Sequence, residues 1–180
     1  GEKKFKEAQV PLERAVSLIA DNADVHYELA NAYFENSVLE SSLKEVKEAM
    51  GLAPKNSKYT LLLSKILSAR KEIDPAIDQL QKAIALEPKN MSLVFELCNL
   101  YGKKGYYSIA INHCKKAFDT DPANYEFMNR LAWLYAKKGV NLDKGIELSQ
   151  KTISDFPDKP EYLDTLSELY FVKGEVEKAV

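Results

Sequence analysis

The sequence has few of the residues that mark catalytic, metal-binding or disulfide-rich proteins. Its 180 residues include two cysteines, two histidines and seven glycines, without a spaced cysteine–histidine set or a glycine-rich phosphate loop. We therefore predict no disulfide framework, metal site or nucleotide-binding loop. Because the chain also has no nucleophile motif and no cofactor signature, we expect neither catalysis nor a cofactor. Nothing in this composition indicates a cellular compartment.

A strong excess of charge of one sign is missing too. The 25 lysines and arginines nearly balance the 27 aspartates and glutamates, so the formal charge is −2. A protein whose main task is to hold nucleic acid needs a clear basic excess, and we expect no nucleic acid partner. No apolar run approaches the roughly 20 residues of a membrane-spanning helix, so no membrane partner is predicted within this segment.

Repetition is what the sequence does contain. The segments GLAPKN and ALEPKN nearly coincide, and their prolines, Pro54 and Pro88, lie 34 residues apart. Pro122 follows after another 34 residues and Pro157 after 35. Because a fixed period of this length is typical of repeat proteins, the period determines the fold prediction.

Each repeat carries bulky and small residues at fixed positions. Its seventh residue is leucine, its eighth is small and its eleventh is bulky, so these side chains share one helical face. After a turn that is often marked by glycine, small residues such as Ala76 and Ala83 recur seven apart. Small side chains let two helix backbones approach closely. Each repeat is therefore predicted to be a helix, a tight turn and a second helix.

The proline segments should separate successive repeats. Proline lacks an N–H and disfavours helix in the residue before it. Asn56, Asn90 and Asn124 are then suited to cap the next helix, and Pro160 fits its first turn. The predicted units are residues 23–56, 57–90, 91–124 and 125–159, the last with one inserted residue near Val140, flanked by partial units at 1–22 and 160–180.

The period, the Leu-small-x-x-Tyr core and the Ala…Ala…Pro tail resemble the tetratricopeptide repeat (TPR), and the closing stretch is most similar to bacterial members. Phe5, Ala8 and Ala15 match the second helix of a preceding unit, so the resemblance covers almost the whole chain. It implies an all-α fold, a right-handed superhelical α-solenoid of stacked antiparallel helix pairs. Pro11 departs from the pattern and should kink the first helix or delay its start.

The resemblance also implies a concave groove lined by the first helices, a surface suited to binding another polypeptide. Its positions carry apolar side chains and asparagines, which can donate to and accept from a peptide backbone. We interpret the chain as a non-catalytic module that binds a peptide or helix of a protein of unknown identity. The candidate groove residues are Tyr27, Asn31, Phe34, Leu61, Leu62, Lys65, Phe95, Asn99, Asn129, Arg130, Trp133 and Lys137.

One known TPR ligand is not expected. Some TPR co-chaperones bind acidic chaperone C-termini through a carboxylate clamp, which requires converging cations. Counted from the third unit, the five clamp positions hold Phe95, Asn99, Arg130, Glu161 and Thr165. Since acids replace the cations, the clamp is absent.

Two alternative functions stay open. The first is a self-associating scaffold, because no polar capping helix ends the last unit. Its first helix should then expose core-type side chains, namely Leu163, Leu166, Leu169 and Tyr170. Light scattering across a dilution series would distinguish this homo-oligomer from a monomer. The second alternative is the regulatory domain of a larger enzyme.

The cysteines and histidines have simple structural explanations. Cys98 and Cys114 occupy core-like positions on the two helices of one unit. We expect reduced thiols there rather than a bridge or a redox pair. His26 and His113 are expected to be packing or surface histidines, since neither lies near a set of metal ligands.

Overall fold

A computed structural model describes the backbone of residues 2–179 and the side chains of residues 9–179. Over this range the chain forms ten α-helices and one 3₁₀ turn, with no strand. The helices are α1 (Glu2–Leu18), α2 (Ala23–Glu35), α3 (Leu39–Leu52), α4 (Ser57–Ala69), α5 (Ile73–Leu86), α6 (Met91–Lys103), α7 (Tyr107–Thr120), α8 (Tyr125–Lys138), α9 (Leu142–Asp155) and α10 (Pro160–Lys173), and the 3₁₀ turn is Val176–Lys178. The prediction of an all-α fold is confirmed.

The helices belong to two compact units, residues 1–89 and 90–180. Within each unit every helix packs on the next one in the sequence. In the first unit α2 also meets α4, and in the second unit α8 meets both α6 and α10. Each unit is therefore a stack of helix pairs in which the first helices of successive pairs are neighbours.

The turn inside each helix pair repeats the period of the sequence. Its last residue has a left-handed conformation, and the N–H that follows donates to the carbonyl of the bulky eleventh residue, as from Tyr106 to Tyr101. The left-handed residues at this position are Ser37 (φ 61°), Lys71 (φ 67°), Gly105 (φ 78°), Gly139 (φ 69°) and Gly174 (φ 88°), and Asn141, just before α9, is left-handed as well (φ 50°). The glycine turns are confirmed, and Ser37 and Lys71 adopt the same conformation at the cost that a side chain brings there.

Asparagines begin several of the helices, as predicted. The Asn56 side chain accepts from the Lys58 N–H, and that of Asn124 accepts from the N–H groups of Glu126 and Phe127. Asn90 stands at the corresponding position before α6, and Pro160 is the first residue of α10. A cap of this kind contributes roughly 1 kcal/mol to stability.

The first helix differs from its prediction. α1 runs through Pro11 without a break, so the expectation of a delayed start is wrong. Ala15 is half-buried in this helix. Phe5 and Ala8 lie outside the residues whose side chains are described.

Small residues are buried where the two helices of a pair approach each other. Ala76, Ala110 and Ala117 have no exposed surface, while Ala83 is half-buried. Gly145 of α9 also lies close to the first helix of the next pair, because an added Cβ would lie 2.6 Å from Cδ2 of Leu169 on α10 and 3.6 Å from the Ala132 carbonyl oxygen of α8. The predicted stripe of small residues therefore sets the distance between helices.

The same contact corrects an expectation about α10. Leu169 is completely buried against α9 and is not exposed, while Leu166 and Tyr170 are half-buried. Leu163 has the predicted exposure, at 46% of its surface. The apolar side chains of α10 are thus divided between a packed face and an open face.

Cys98 and Cys114 form a disulfide, so the expectation of reduced thiols is wrong. Both residues are fully buried, and their Cα atoms are 5.4 Å apart. Cys98 occupies the small eighth position of α6, and Cys114 lies on the face of α7 that packs against it. Two cysteines at a close approach between helices come within bonding distance.

His26 links α2 to its neighbours through both ring nitrogens. Nδ1 lies 2.7 Å from Oε2 of Glu45 on α3, and Nε2 lies 3.0 Å from the carbonyl oxygen of Ala20. Both partners are acceptors, so both nitrogens carry a proton when the two bonds form together. Burial alone would lower the pKa of His26, but the bond to Ala20 and the charge of Glu45 outweigh it and raise the pKa.

The contact at Gly145 should make this position intolerant of a methyl group. We expect Gly145→Ala to lower the free energy of unfolding by about 1–3 kcal/mol, because buried Leu169 has little room to move. Gly51→Ala on α3 is the matched control, since nothing lies within 4 Å of its added Cβ. That control should gain roughly 0.5–1 kcal/mol in urea unfolding. Equal effects at the two glycines would contradict the packing argument.

Reduction of the disulfide should destabilise the second unit. The bond joins residues 16 positions apart, so breaking it is expected to cost roughly 3 kcal/mol of unfolding free energy. Thermal unfolding with and without a reductant measures the effect. The double variant Cys98→Ala/Cys114→Ala should show no response to the reductant, and an equal response would disprove the assignment.

The His26 contacts should make stability fall as the pH rises. A raised pKa means that the folded chain holds this proton more tightly than the unfolded chain, whose histidine pKa is about 6.5. The stabilisation is therefore complete below about pH 6.5 and is lost as the pH rises through the folded-state pKa. Urea unfolding of the wild type and His26→Gln between about pH 5 and 9 gives the difference in slope.

His113 provides a control of opposite sign. Burial, together with Lys116, lowers the pKa of His113, so its contribution to stability grows as the pH rises toward the unfolded value. His113→Gln should therefore remove a slope opposite to that removed by His26→Gln. The same sign for both variants would show that the contacts of His26 do not control its titration.

Candidate functional site

In the second unit, four of the predicted groove residues of α6 and α8 surround two adjoining cavities, while Asn99 and Lys137 line neither. The first, of about 220 Å³, has Phe95, Glu126 and Tyr162 in its wall, and the second, of about 390 Å³, has Trp133 and Glu168. Both cavities are also bordered by Asn129, Arg130 and Glu161. We call this surface the second-unit groove. Its lining residues are Phe95, Glu126, Asn129, Arg130, Trp133, Lys159, Glu161, Tyr162, Asp164, Thr165 and Glu168.

Helical spacing places these side chains together. On α8, Glu126, Asn129, Arg130 and Trp133 follow one another at intervals of one, three or four and therefore share a face. Residues 161, 164, 165 and 168 follow the same spacing on α10. The groove lies between these two faces, with Phe95 contributed by α6.

Trp133 is held by several neighbours in the wall of the groove. The ring of Tyr107 meets it edge-on at 6.3 Å between centroids, and an added Cβ at Gly102 would be 3.3 Å from its Cζ3. The Arg130 guanidinium lies 5.1 Å from the centroid of the indole and Lys137 Nζ lies 5.5 Å from it. Trp133 is consequently half-buried and fixed, with cations close to its ring.

The two cations beside Trp133 differ in their partners. Lys137 forms an ion pair with Glu168 of α10. Arg130 has no hydrogen bond or ion pair with any of the described residues, although it is half-buried. Burial lowers the pKa of Arg130, and the charge of Glu96 acts in the opposite direction. The guanidinium is thus partly desolvated without a close carboxylate.

Two asparagines on the inner helices have unpaired carbonyl oxygens. Oδ1 of Asn99 and Oδ1 of Asn129 are buried from solvent and have no hydrogen-bond partner within the described part of the chain. The Asn99 amide nitrogen donates to Oε2 of Glu96 at 3.2 Å, which fixes the direction of that side chain. Both acceptors are therefore unsatisfied in the free chain, and a ligand would reach them only after a shift of the side chains that cover them.

Phe95 has two kinds of contact. Its ring packs on Phe127, with centroids 4.8 Å apart, and it also borders the first cavity. Phe127 is buried, whereas Phe95 is half-buried. Phe95 is thus both a packing residue and part of the groove wall.

In the first unit the candidate residues lie on α2 and α4, and the prediction of surface exposure is wrong for one of them, Leu62. Leu62 is only 4% exposed, so the expectation that it lies on a binding surface is wrong. α4 packs against α2, α3 and α5, and this leaves little of its surface open. Lys65 is exposed, and Tyr27, Asn31, Phe34 and Leu61 are half-buried.

The sequence missed several residues of the second-unit groove. Glu126, Lys159, Glu161, Tyr162 and Thr165 were not among the candidates, and of these Glu126 alone lies at helical spacing from candidates on its own helix, Asn129 and Arg130. Within the described part of the chain no group of histidine, cysteine, aspartate and glutamate side chains could hold a metal ion. None of the described helices combines the length and apolar character that crossing a membrane requires.

No protein-family model and no curated protein matches the chain. Solved structures match its fold. YrrB, described as a TPR protein with an unusual peptide-binding site, is 18% identical with a TM-score of 0.68, covering 94% of this chain and 87% of that one. For a tetratricopeptide repeat protein from Parabacteroides merdae the identity is 17% and the TM-score 0.79, covering 97% and 69%.

A third likeness is TTC0263, a thermophilic TPR protein in Thermus thermophilus, with 19% identity and a TM-score of 0.76 over 95% of this chain and 91% of that one. Identities this low establish the fold and leave the function to be argued from the residues. The periodic helix pairs, the repeated left-handed turns and these likenesses agree that the chain is an all-α protein with the solenoid fold of the tetratricopeptide repeat.

Proposed function

We propose that the chain is a non-catalytic protein-interaction module and that the second-unit groove binds a peptide or helix of a partner protein. The unpaired oxygen of Asn129, which borders both cavities, together with that of Asn99 on α6, which lines neither cavity, is the observation that carries this proposal. Leaving a buried acceptor without a partner costs about 1–3 kcal/mol, so these two oxygens are unfavourable in the free chain. An amide oxygen accepts the backbone N–H of an extended peptide, which would remove that cost.

Aromatic residues beside the asparagines supply the apolar part of a peptide site. Phe95 and Trp133 are half-buried and are fixed by Phe127 and Tyr107. Rings that are already held in place lose little freedom when a ligand covers them, and this favours binding. The surface thus offers backbone acceptors and side-chain contacts together, as peptide-recognition sites do.

The size of the cavities also favours a peptide over a small molecule. Their volumes of about 220 and 390 Å³ fall below or near the lower limit of small-molecule sites, which run from roughly 300 to 1,000 Å³. Two adjoining cavities with shared walls suit successive side chains of one segment.

The groove contains one serine or threonine hydroxyl, that of Thr165. It donates to the carbonyl of Glu161 at 2.9 Å, so no free nucleophile of this kind lines the groove. YrrB, with its described peptide-binding site, supports the same class of function through its likeness in fold.

Selection from a random peptide library on the intact chain would test the proposal, with dissociation constants then measured for the selected peptides. The double variant Asn99→Ala/Asn129→Ala should weaken binding about 10- to 100-fold, because the peptide loses one or two acceptors. Its stability should be unchanged or higher, since two unpaired buried oxygens are removed. This opposite response of binding and stability is what a structural role would not produce.

Asn112→Ala is the matched control, since this asparagine lies on α7 outside the groove and is exposed. It should leave the dissociation constant of every selected peptide unchanged. Failure to select any peptide, or equal affinities for the double variant and the wild type, would refute the proposed function.

A further inference from the structure

The cation Arg130 is the unexplained group of the second-unit groove. Its guanidinium is half-buried where the two cavities meet, and it forms no ion pair with a described residue. Lys137, beside the groove, pairs with Glu168, and Lys159, which like Arg130 lies over aromatic rings (Phe156 and Tyr162, at 5.2 and 5.1 Å), is exposed to solvent. A partly desolvated charge without a counter-ion is unfavourable in the free protein.

Stacking on Trp133 prepares this guanidinium for a ligand. The contact at 5.1 Å from the indole centroid restrains its position, while the N–H donors lie in the guanidinium plane and stay available. Such a planar group pairs best with a carboxylate, which accepts two parallel hydrogen bonds. The geometry therefore favours a carboxylate over a neutral amide or hydroxyl.

The surrounding charges restrict which anion fits. Glu126, Glu161 and Asp164 line the same groove, and Glu96 acts on Arg130 from α6. These carboxylates would repel a run of acidic residues. A ligand with one carboxylate between neutral or basic residues matches the pattern, which differs from the paired carboxylates that a clamp binds.

We propose that Arg130 binds the side-chain carboxylate of one aspartate or glutamate within the partner segment, an inference that rests on the proposed function. The cavities extend on both sides of Arg130, toward Phe95 and Tyr162 on one side and toward Trp133 and Glu168 on the other. A segment that fills both continues past the guanidinium in both directions. The carboxylate therefore belongs to a residue inside the segment and not to its C-terminus.

A double-mutant cycle on a selected peptide tests this assignment. The selected peptides should share one aspartate or glutamate with residues on both sides, and changing it to asparagine or glutamine should weaken binding about 10- to 100-fold. Arg130→Gln should weaken binding of the acidic peptide to the same extent, and binding of the peptide with asparagine or glutamine by less than about twofold. Arg130→Lys keeps the charge but not the two-pronged donor and should give an intermediate loss.

Arg14→Gln in the first unit is the control for loss of one positive charge, and it should not change affinity. Peptides that bind with affinities insensitive to Arg130→Gln and to the amide substitution would overturn this inference and leave the proposed function standing. If amidation of the peptide C-terminus abolishes binding and the side-chain substitution does not, Arg130 binds the C-terminal carboxylate and the inference is wrong. If the selection retains no peptide at all, the proposed function is refuted, and this inference with it. Should Arg130→Gln fail to fold in thermal unfolding, Arg130→Lys decides.

Discussion

The rest of the structure depends on the close approach of the two helices in each pair. Buried small residues permit it, and between successive pairs the absence of a side chain at Gly145 of α9 leaves space for Leu169 of α10. One face of each first helix is buried in this packing, so the core constrains the residues on its other face less. Asn129, Arg130 and Trp133 lie on that other face of α8. The same periodic constraint therefore builds the core and supplies the surface that we propose binds a partner.

The disulfide follows from this constraint, although the sequence did not predict it. Cys98 and Cys114 were both correctly placed in the core, and the position of Cys98 is filled by alanine or serine in the other repeats. A helical period assigns a residue to a face, but it does not give the distance between residues on opposite helices. That distance, 5.4 Å between the Cα atoms, depends on how closely α6 and α7 pack.

Sequence reasoning succeeded where a single property of a residue determines its local structure. The period predicted the helix pairs, and glycine predicted the left-handed turns at Gly105, Gly139 and Gly174, but Ser37 and Lys71 adopt that conformation without the signal. For the candidate site, first-helix positions located Phe95, Asn129 and Trp133 on one surface. The prediction for Leu62 failed because α4 packs on several helices at once, and Tyr162 and Thr165 of α10 were missed because contacts between helices follow no period in the sequence.

The two units differ in how they neutralise their buried or half-buried cations. In the first unit Glu45 lies 2.7 Å from His26, and Arg70 pairs with Glu72 at 2.6 Å and with Glu40. Arg130 of the second unit has no equivalent partner among the described residues, and Oδ1 of Asn99 and of Asn129 are unpaired, as is Oδ1 of Asn36 in the first unit. Desolvated polar groups are favourable only when their bonds are completed. Under the proposed function, a partner segment supplies to the second unit the kind of contacts that the first unit makes internally.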